Sequence, residues 1–214
     1  MTEPHFAYPA MLTLAGRRAV VVGGGKVALR KARALADAGA AVRAVAPEFL
    51  PEFREDRRLE CLGEPYAARH VAGAFLVIAA TDDEAVNARV AADARAAGAL
   101  VNVVDRPALC DFIVPATVDR GRLVIAISTG GAAPSLARRL REKLERQFGK
   151  EYATYLDVMD EVRREILSRG LPEEVRWRLL ERLSEDDIVA AAREGRDALR
   201  RRIEVAVAEI GGSR

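Results

Sequence analysis

The chain has 214 residues, half of them hydrophobic and 31% charged, the composition of an ordinary soluble globular protein. Lys and Arg number 34 against 32 Asp and Glu, and the resulting formal charge of +2 argues for neither a nucleic-acid nor a membrane surface. Two isolated cysteines, Cys61 and Cys110, and two scattered histidines, His5 and His70, exclude a disulfide framework and a Cys/His zinc cage, so no metal site is expected.

At the N-terminus, Met1 to Ala15 holds Glu3, Pro4 and His5 but no basic stretch leading into a long apolar one. We therefore expect no secretory signal and a cytoplasmic location. The longest apolar runs, such as Phe75 to Ala80, are too short to span a bilayer. From about Arg18 to Val114, strand-like runs alternate with Ala-rich helical ones. Ala19 to Val22, Val42 to Ala46, Leu76 to Ala80 and Leu100 to Val104 lack polar alternation and read as strands buried on both faces. Helices are expected over Val27 to Ala38 and Asp83 to Ala97, each ending just before a glycine, Gly39 or Gly98. This alternation predicts an α/β fold: a Rossmann-like, doubly wound parallel sheet with helices on both faces, over residues 1–113.

Between the first strand and the first helix stands Gly23-Gly24-Gly25-Lys26-Val27-Ala28. Gly23, Gly25 and Ala28 match the dinucleotide-binding spacing: Gly23 for the tight turn, Gly25 for close approach of a pyrophosphate, and small Ala28 for helix–sheet packing. The amides of Lys26 and Val27 would face the phosphates at the positive end of the helix. A ligand-free turn is the alternative reading. The second strand runs into Pro47 and Glu48, our candidates for the adenosine ribose side, and the lack of an arginine at that strand end favours NAD over NADP. Thr81, Asp82 and Asp83 follow the third run at the sheet's carboxyl edge, where either aspartate reads equally as a helix cap.

After Asp111 the pattern changes. Phe112 to Val118 and Leu123 to Ser128 read as a hairpin around Asp119-Arg120-Gly121. Its apolar residues fall on both faces, Val124 and Ala126 against Leu123, Ile125 and Ile127, which predicts a homodimer. Ser128 to Ala133 leads into a helix from about Ser135 to Gln147, with Pro134 suited to its first position. Residues 114–149 thus form a small α+β segment. Residues 150–214 read as a helical, strongly charged domain: one helix with Tyr152, Tyr155, Met159, Val162 and Ile166 on a stripe, a second with Val175, Leu179 and Leu183, and a third from about Glu185 to Ile210.

Residues 22–28, Arg30-Lys31-Ala32, Ala79-Ala80-Thr81-Asp82-Asp83, Asn102-Val103-Val104-Asp105, and Ser128-Thr129-Gly130-Gly131 with Pro134 occur in an order that resembles the precorrin-2 dehydrogenase/sirohydrochlorin ferrochelatase family, the N-terminal module of sirohaem synthases. The likeness runs from about Tyr8 to Phe148. It implies NAD-dependent oxidation of precorrin-2 to sirohydrochlorin, and in bifunctional members insertion of ferrous iron, which is a substrate and not a bound cofactor. It also implies a dimerisation segment and a tetrapyrrole as the small-molecule partner. The family's methyltransferase part is not expected in a chain ending at Arg214.

Asp105 matches the family's aspartate implicated in both reactions. Directly after a buried strand, it is expected at the sheet's carboxyl edge near the nicotinamide, able to accept a proton; capping the turn before Pro107 is its structural alternative. Thr129 to Ala133 would present unpaired amides before a helix, a nest for the substrate's carboxylates, with Ser128, Thr129, Gly130 and Gly131 as the candidate substrate-binding residues. Arg138, Arg139, Arg141 and Lys143 would meet the same groups, unless they form a solvated face or a dimer contact. Thr129 departs from the serine frequent in the family. A non-catalytic NAD(H)-sensing module is the competing function, and it would need neither Asp105 nor the 128–134 loop.

Overall fold

A computed structural model describes residues 8–211; residues 1–7, and with them His5 and the start of the stretch read for a leader, lie outside it. The chain divides into two compact units, Tyr8–Val114 and a second that runs from Pro115.

The first unit is a five-stranded sheet in the order β3-β2-β1-β4-β5, built from β1 (Arg18–Val22), β2 (Ala41–Val45), β3 (Leu59–Leu62), β4 (Leu76–Ala79) and β5 (Leu100–Val103). Every pairing is parallel. Alternate residues of each strand enter opposite cores, which explains the unbroken apolar runs. Ala19 and Val21 of β1 pack with Ala28, Leu29, Ala32 and Leu35 of α1 (Lys26–Asp37). Val20 and Val22 pack on the other face with Val90, Ala91 and Ala94 of α3 (Glu84–Ala96).

Sequence reading missed β3 and the short α2 (Pro51–Glu55) before it. β3 is a four-residue edge strand with only Leu59 fully buried, and its exposed Glu60 pairs with Arg43 of β2, so neither an apolar run nor a period marks it. It matters to the site nonetheless. The Leu62 carbonyl accepts from the Ala46 amide and so fixes the chain just before Pro47 and Glu48.

In the second unit, β6 (Ala116–Arg120) and β7 (Leu123–Ile127) form an antiparallel hairpin whose register sets Asp119 opposite Val124. The first strand starts at Ala116 and not at Phe112. Next come α4 (Pro134–Gln147), α5 (Glu151–Ser168), α6 (Glu173–Arg182), α7 (Asp186–Ala191) and α8 (Arg196–Gly211). Tyr155, Val158, Val162 and Ile166 of α5 share a core with Leu179, Ile188, Leu199 and Ile203. The single helix expected from Glu185 to Ile210 is two, α7 and α8. Gly195 breaks it at φ +102°, a conformation only glycine adopts readily. No helix among the described residues is long and apolar enough to cross a membrane.

Candidate active site

The chain passes from β1 out to β3 and returns to β4 on the other side of β1, so the strand order reverses between β1 and β4. The carboxyl ends of those two strands diverge into a crevice, the ligand position of this class of sheet. A groove of about 630 Å3 occupies it, lined by the glycine loop, Lys26, Val27, Pro47, Glu48, Thr81 and Asp82 among others. The groove has the size of a typical cofactor site.

The three glycines serve different purposes. Gly23 sits at φ +133°, and a Cβ there would run into the Ala80 carbonyl. A Cβ on Gly24 would run into the Glu48 carbonyl, because the chain after β2 passes directly over the loop and Leu50 donates its amide to the Gly24 carbonyl. Gly24 is therefore a packing residue, a role that sequence reading did not assign. Gly25 has ordinary φ −88°, and a Cβ there would meet nothing within 4 Å. Nothing in the protein requires glycine at 25. The open space over its Cα fits a pyrophosphate. The contrast in helix caps agrees: Asp83 accepts from the Ala85 and Val86 amides to cap α3, whereas α1 begins at Gly25 with no side-chain cap and no acid in its first turn. The amide-rich end of α1 is left open to an anion.

Pro47 and Glu48, both exposed, line the groove with Pro65, Tyr66 and Arg89, which sequence reading missed. Burial and the hydrogen bond to Asp93 push the Tyr66 phenol well above its usual range. Arg89 lies over the Tyr66 ring, 5.5 Å from its centre, and donates to the Tyr66 carbonyl. These residues come from three separate elements, and no local motif announces them.

Thr81 links its hydroxyl to Asn87 Oδ1 at 2.8 Å, while Asn87 donates back to the Thr81 carbonyl. This holds the loop after β4 in shape. Asp83 is the cap; Asp82 stays exposed in the groove. Val27, Ala80, Thr81 and Asp82 also wall a second cavity of about 260 Å3, which contains Asp105 and Arg106. Asp105 follows β5 at φ +59°, the one non-glycine at positive φ among the described residues. The Arg106 amide donates to the Val103 carbonyl, so Asp105 is the third residue of a tight turn. Aspartate tolerates that conformation better than most residues do, and such conformations cluster at functional sites.

Ser128, Thr129, Gly130 and Gly131 lie in the second unit, between β7 and α4. Three amides of the expected 129–133 nest, those of Gly130, Ala132 and Ala133, are already engaged within the loop. Ser128 Oγ accepts from the Gly130 amide, Thr129 Oγ1 from the Ala133 amide, and the Thr129 carbonyl from the Ala132 amide. The hydroxyls at 128 and 129 fold the loop back on itself, as Ser and Thr side chains do in turns. Of the nearby cations, Arg138 pairs with Glu142 and Arg141 with Glu145 along α4.

Residues 10–116 match a family described as putative NAD(P)-binding, and residues 120–147 match the central segment of sirohaem biosynthesis proteins. A solved structure, SirC, a precorrin-2 dehydrogenase, superposes with TM-score 0.75 at 30% identity, covering 92% of this chain and 99% of that one. The chain belongs to the precorrin-2 dehydrogenase family. Within it, the siroheme synthase of Ectopseudomonas mendocina is 55% identical over 139 residues, 64% of this chain and 30% of that enzyme. The siroheme synthase of Pseudomonas paraeruginosa is 46% identical over 196 residues, 89% of this chain and 42% of that enzyme. The chain thus spans under half the length of these relatives and nearly the whole of the solved dehydrogenase. The NAD(P)-binding family segment contains both cavities of the crevice.

Proposed function

We propose that this protein oxidises precorrin-2 to sirohydrochlorin with NAD, as a cytoplasmic homodimer. The observation that carries the reading is the shared wall of Val27, Ala80, Thr81 and Asp82, which joins the glycine-loop groove to the Asp105 cavity. When bound, NAD supplies the hydride acceptor. Gly23, Gly25 and the amides of Lys26 and Val27 would hold its pyrophosphate, and Pro47 and Glu48 its ribose. The Glu48 carboxylate would repel a 2′-phosphate, which supports NAD over NADP. Arg89, which lines the same groove, is engaged with Tyr66.

The Asp105 carboxylate would accept the proton that leaves the substrate together with the hydride. Ser128, Thr129, Gly130 and Gly131 would meet the tetrapyrrole's carboxylates through whatever amides their own turn leaves open. In iron insertion, ferrous iron enters as substrate and the same Asp105 carboxylate takes the displaced pyrrole protons.

The test is an anaerobic mixture of protein, NAD and precorrin-2, watched for NADH absorbance. NAD binding without turnover on fresh substrate would favour the nucleotide-sensing reading. A second mixture, with sirohydrochlorin and ferrous iron but no NAD, asks about the chelatase step separately.

A further inference from the structure

The buried residues of α3 are Asn87, Val90, Ala91 and Ala94, which recur at helical spacing on one face. Val90, Ala91 and Ala94 fill the apolar core on that side of the sheet. Asn87 is the polar exception, a weak helix former whose burial is unfavourable unless its side chain is partnered. Its partner is Thr81. Asn87 Oδ1 accepts from the Thr81 hydroxyl at 2.8 Å and from the Thr81 amide at 3.3 Å, and Asn87 Nδ2 donates to the Thr81 carbonyl at 2.8 Å. A backbone amide only donates and a carbonyl only accepts, so the pattern also fixes which way round the asparagine lies. The amide, hydroxyl and carbonyl of Thr81 all meet one buried side chain, which holds the residue in one conformation.

Thr81 stands where the two cavities of the crevice meet, and Asn87 itself lines the one that contains Asp105. Under the dehydrogenase reading, the pyrophosphate lies at the start of α1 and the adenosine ribose at Pro47 and Glu48, after β2. The sheet order puts β4 and β5 on the opposite side of β1 from β2. The nicotinamide half is left the β4 side, past Ala80, Thr81 and Asp82, on its way to Asp105 after β5. Misplacing a reacting group by about 1 Å can lower a rate roughly a hundredfold, so the rigidity of this wall bears on the chemistry.

We propose that Asn87 is a positioning residue for the oxidation: by locking Thr81 it sets the nicotinamide ring of NAD against Asp105. The inference rests on the dehydrogenase reading above. The substrate's hydride goes to NAD and its proton to Asp105; Asn87 exchanges neither and acts through Thr81 alone.

The test uses Asn87→Asp, which keeps the shape of the side chain. A protonated carboxyl has one donor and one acceptor, as the amide does; once ionised it loses the donor and sets a charge against the Thr81 carbonyl. Burial, with Asp82, Glu84 and Asp105 lining the same cavity, holds the new carboxyl protonated to higher pH than usual. The ratio of variant to wild-type kcat should therefore be near one at about pH 5 and fall about tenfold by about pH 8. Affinity for ADP-ribose, which lacks the nicotinamide, should stay constant across that range. If Asn87 served the fold alone, kcat and ADP-ribose affinity would fall together. A second measurement needs neither turnover nor a variant: in 15N-labelled wild type, NAD should shift the Asn87 side-chain and Thr81 backbone amide signals, and ADP-ribose should leave them in place.

A folded Asn87→Asp variant whose kcat ratio is flat with pH, or falls in step with ADP-ribose affinity, overturns the proposal and leaves the dehydrogenase reading standing. Equal shifts with NAD and ADP-ribose, or none with either, overturn it as well, even where the variant fails to fold. A wild-type protein that binds NAD and never reduces it overturns the dehydrogenase reading, whatever the NMR spectra show.

Discussion

The Cys110 sulfur lies 3.2 Å from both the amide nitrogen and the carbonyl oxygen of Val103, two residues before Asp105. It also reaches the Arg106 carbonyl at 3.3 Å, so one side chain grips the Asp105 turn on both sides. The next residues extend the grip: Asp111 accepts from the Val101 amide, and Asn102 donates to the Phe112 carbonyl. Cys110→Ala removes these sulfur contacts without altering any residue of the crevice. We expect a stability loss of about 1 kcal/mol in urea unfolding. We also expect kcat to fall severalfold while NAD affinity stays constant, because the carboxylate loosens and the phosphate loop does not. Unchanged kcat would show that the turn is held without the thiol.

Asp105 itself combines a left-handed backbone with the carboxylate proposed to take the proton. Asp105→Asn keeps the conformational tolerance and loses the base, so it should fold normally, bind NAD normally and fail to produce NADH. Asp105→Ala should be equally inactive and also less stable by about 1 kcal/mol, since alanine is strained in the left-handed region. Stopped NADH formation with intact NAD binding is the expected pair of results. Turnover in either variant removes Asp105 from the mechanism.

The glycine loop separates stability from binding within three residues. Gly24→Ala drives a methyl into the Glu48 carbonyl, and Gly23→Ala adds strain at positive φ to a clash with the Ala80 carbonyl. Each should cost about 2 kcal/mol or more in unfolding experiments. Gly25→Ala places its methyl in open space. It should leave stability within about 0.5 kcal/mol of wild type and weaken NAD binding at least tenfold by titration fluorimetry. A stable Gly25→Ala variant with undiminished affinity would move the pyrophosphate elsewhere.

What the sequence made legible and what it hid divide along a physical line. The strands β1, β2, β4 and β5 are buried on both faces, and their continuous apolar runs say so; β3, an edge strand with exposed Glu60, carries no such mark. The phosphate loop is readable because its glycines, strand and helix are contiguous. Tyr66 and Arg89 reach the crevice by folding alone, from elements far apart in the chain, and each looks ordinary in its own stretch. The choice between Asp82 and Asp83 as the cap turned on one residue of helix register, which composition does not carry. The amides of the 128–134 loop were misjudged because Ser128 and Thr129 can satisfy them locally. One C-terminal helix became two because Gly195 breaks an otherwise helical charge pattern.

The proposed homodimer has a sharp test on the hairpin. Val124 is 39% exposed and stands directly across from Asp119. A Val124→Lys variant would set a cation against that carboxylate, supporting the hairpin within one subunit while charging its outer face. We expect the wild type to be dimeric at micromolar concentration by light scattering and the variant to be monomeric with unchanged helical content. A monomeric wild type ends the dimer proposal.

The helical unit carries its own pH signature. Asp187 accepts from Arg182 at 2.9 and 3.0 Å and from Arg202, so one carboxylate at the start of α7 ties α6 to α8. The Arg182 hydrogen bond, with Arg202 and the surrounding charges, lowers its pKa from the usual 3.8 to about 2. The folded state thus favours the ionised form more than the unfolded chain does. The stabilisation is therefore complete above pH 3.8 and is lost as pH falls toward 2. Asp187→Asn should lower Tm by a few degrees at neutral pH, the scale of an exposed ion-pair network. That difference should close as the pH is brought down through the same interval, followed by circular dichroism at the helical band. A gap in Tm that persists at pH 2 would assign the loss to packing around α7 and not to the charge on Asp187.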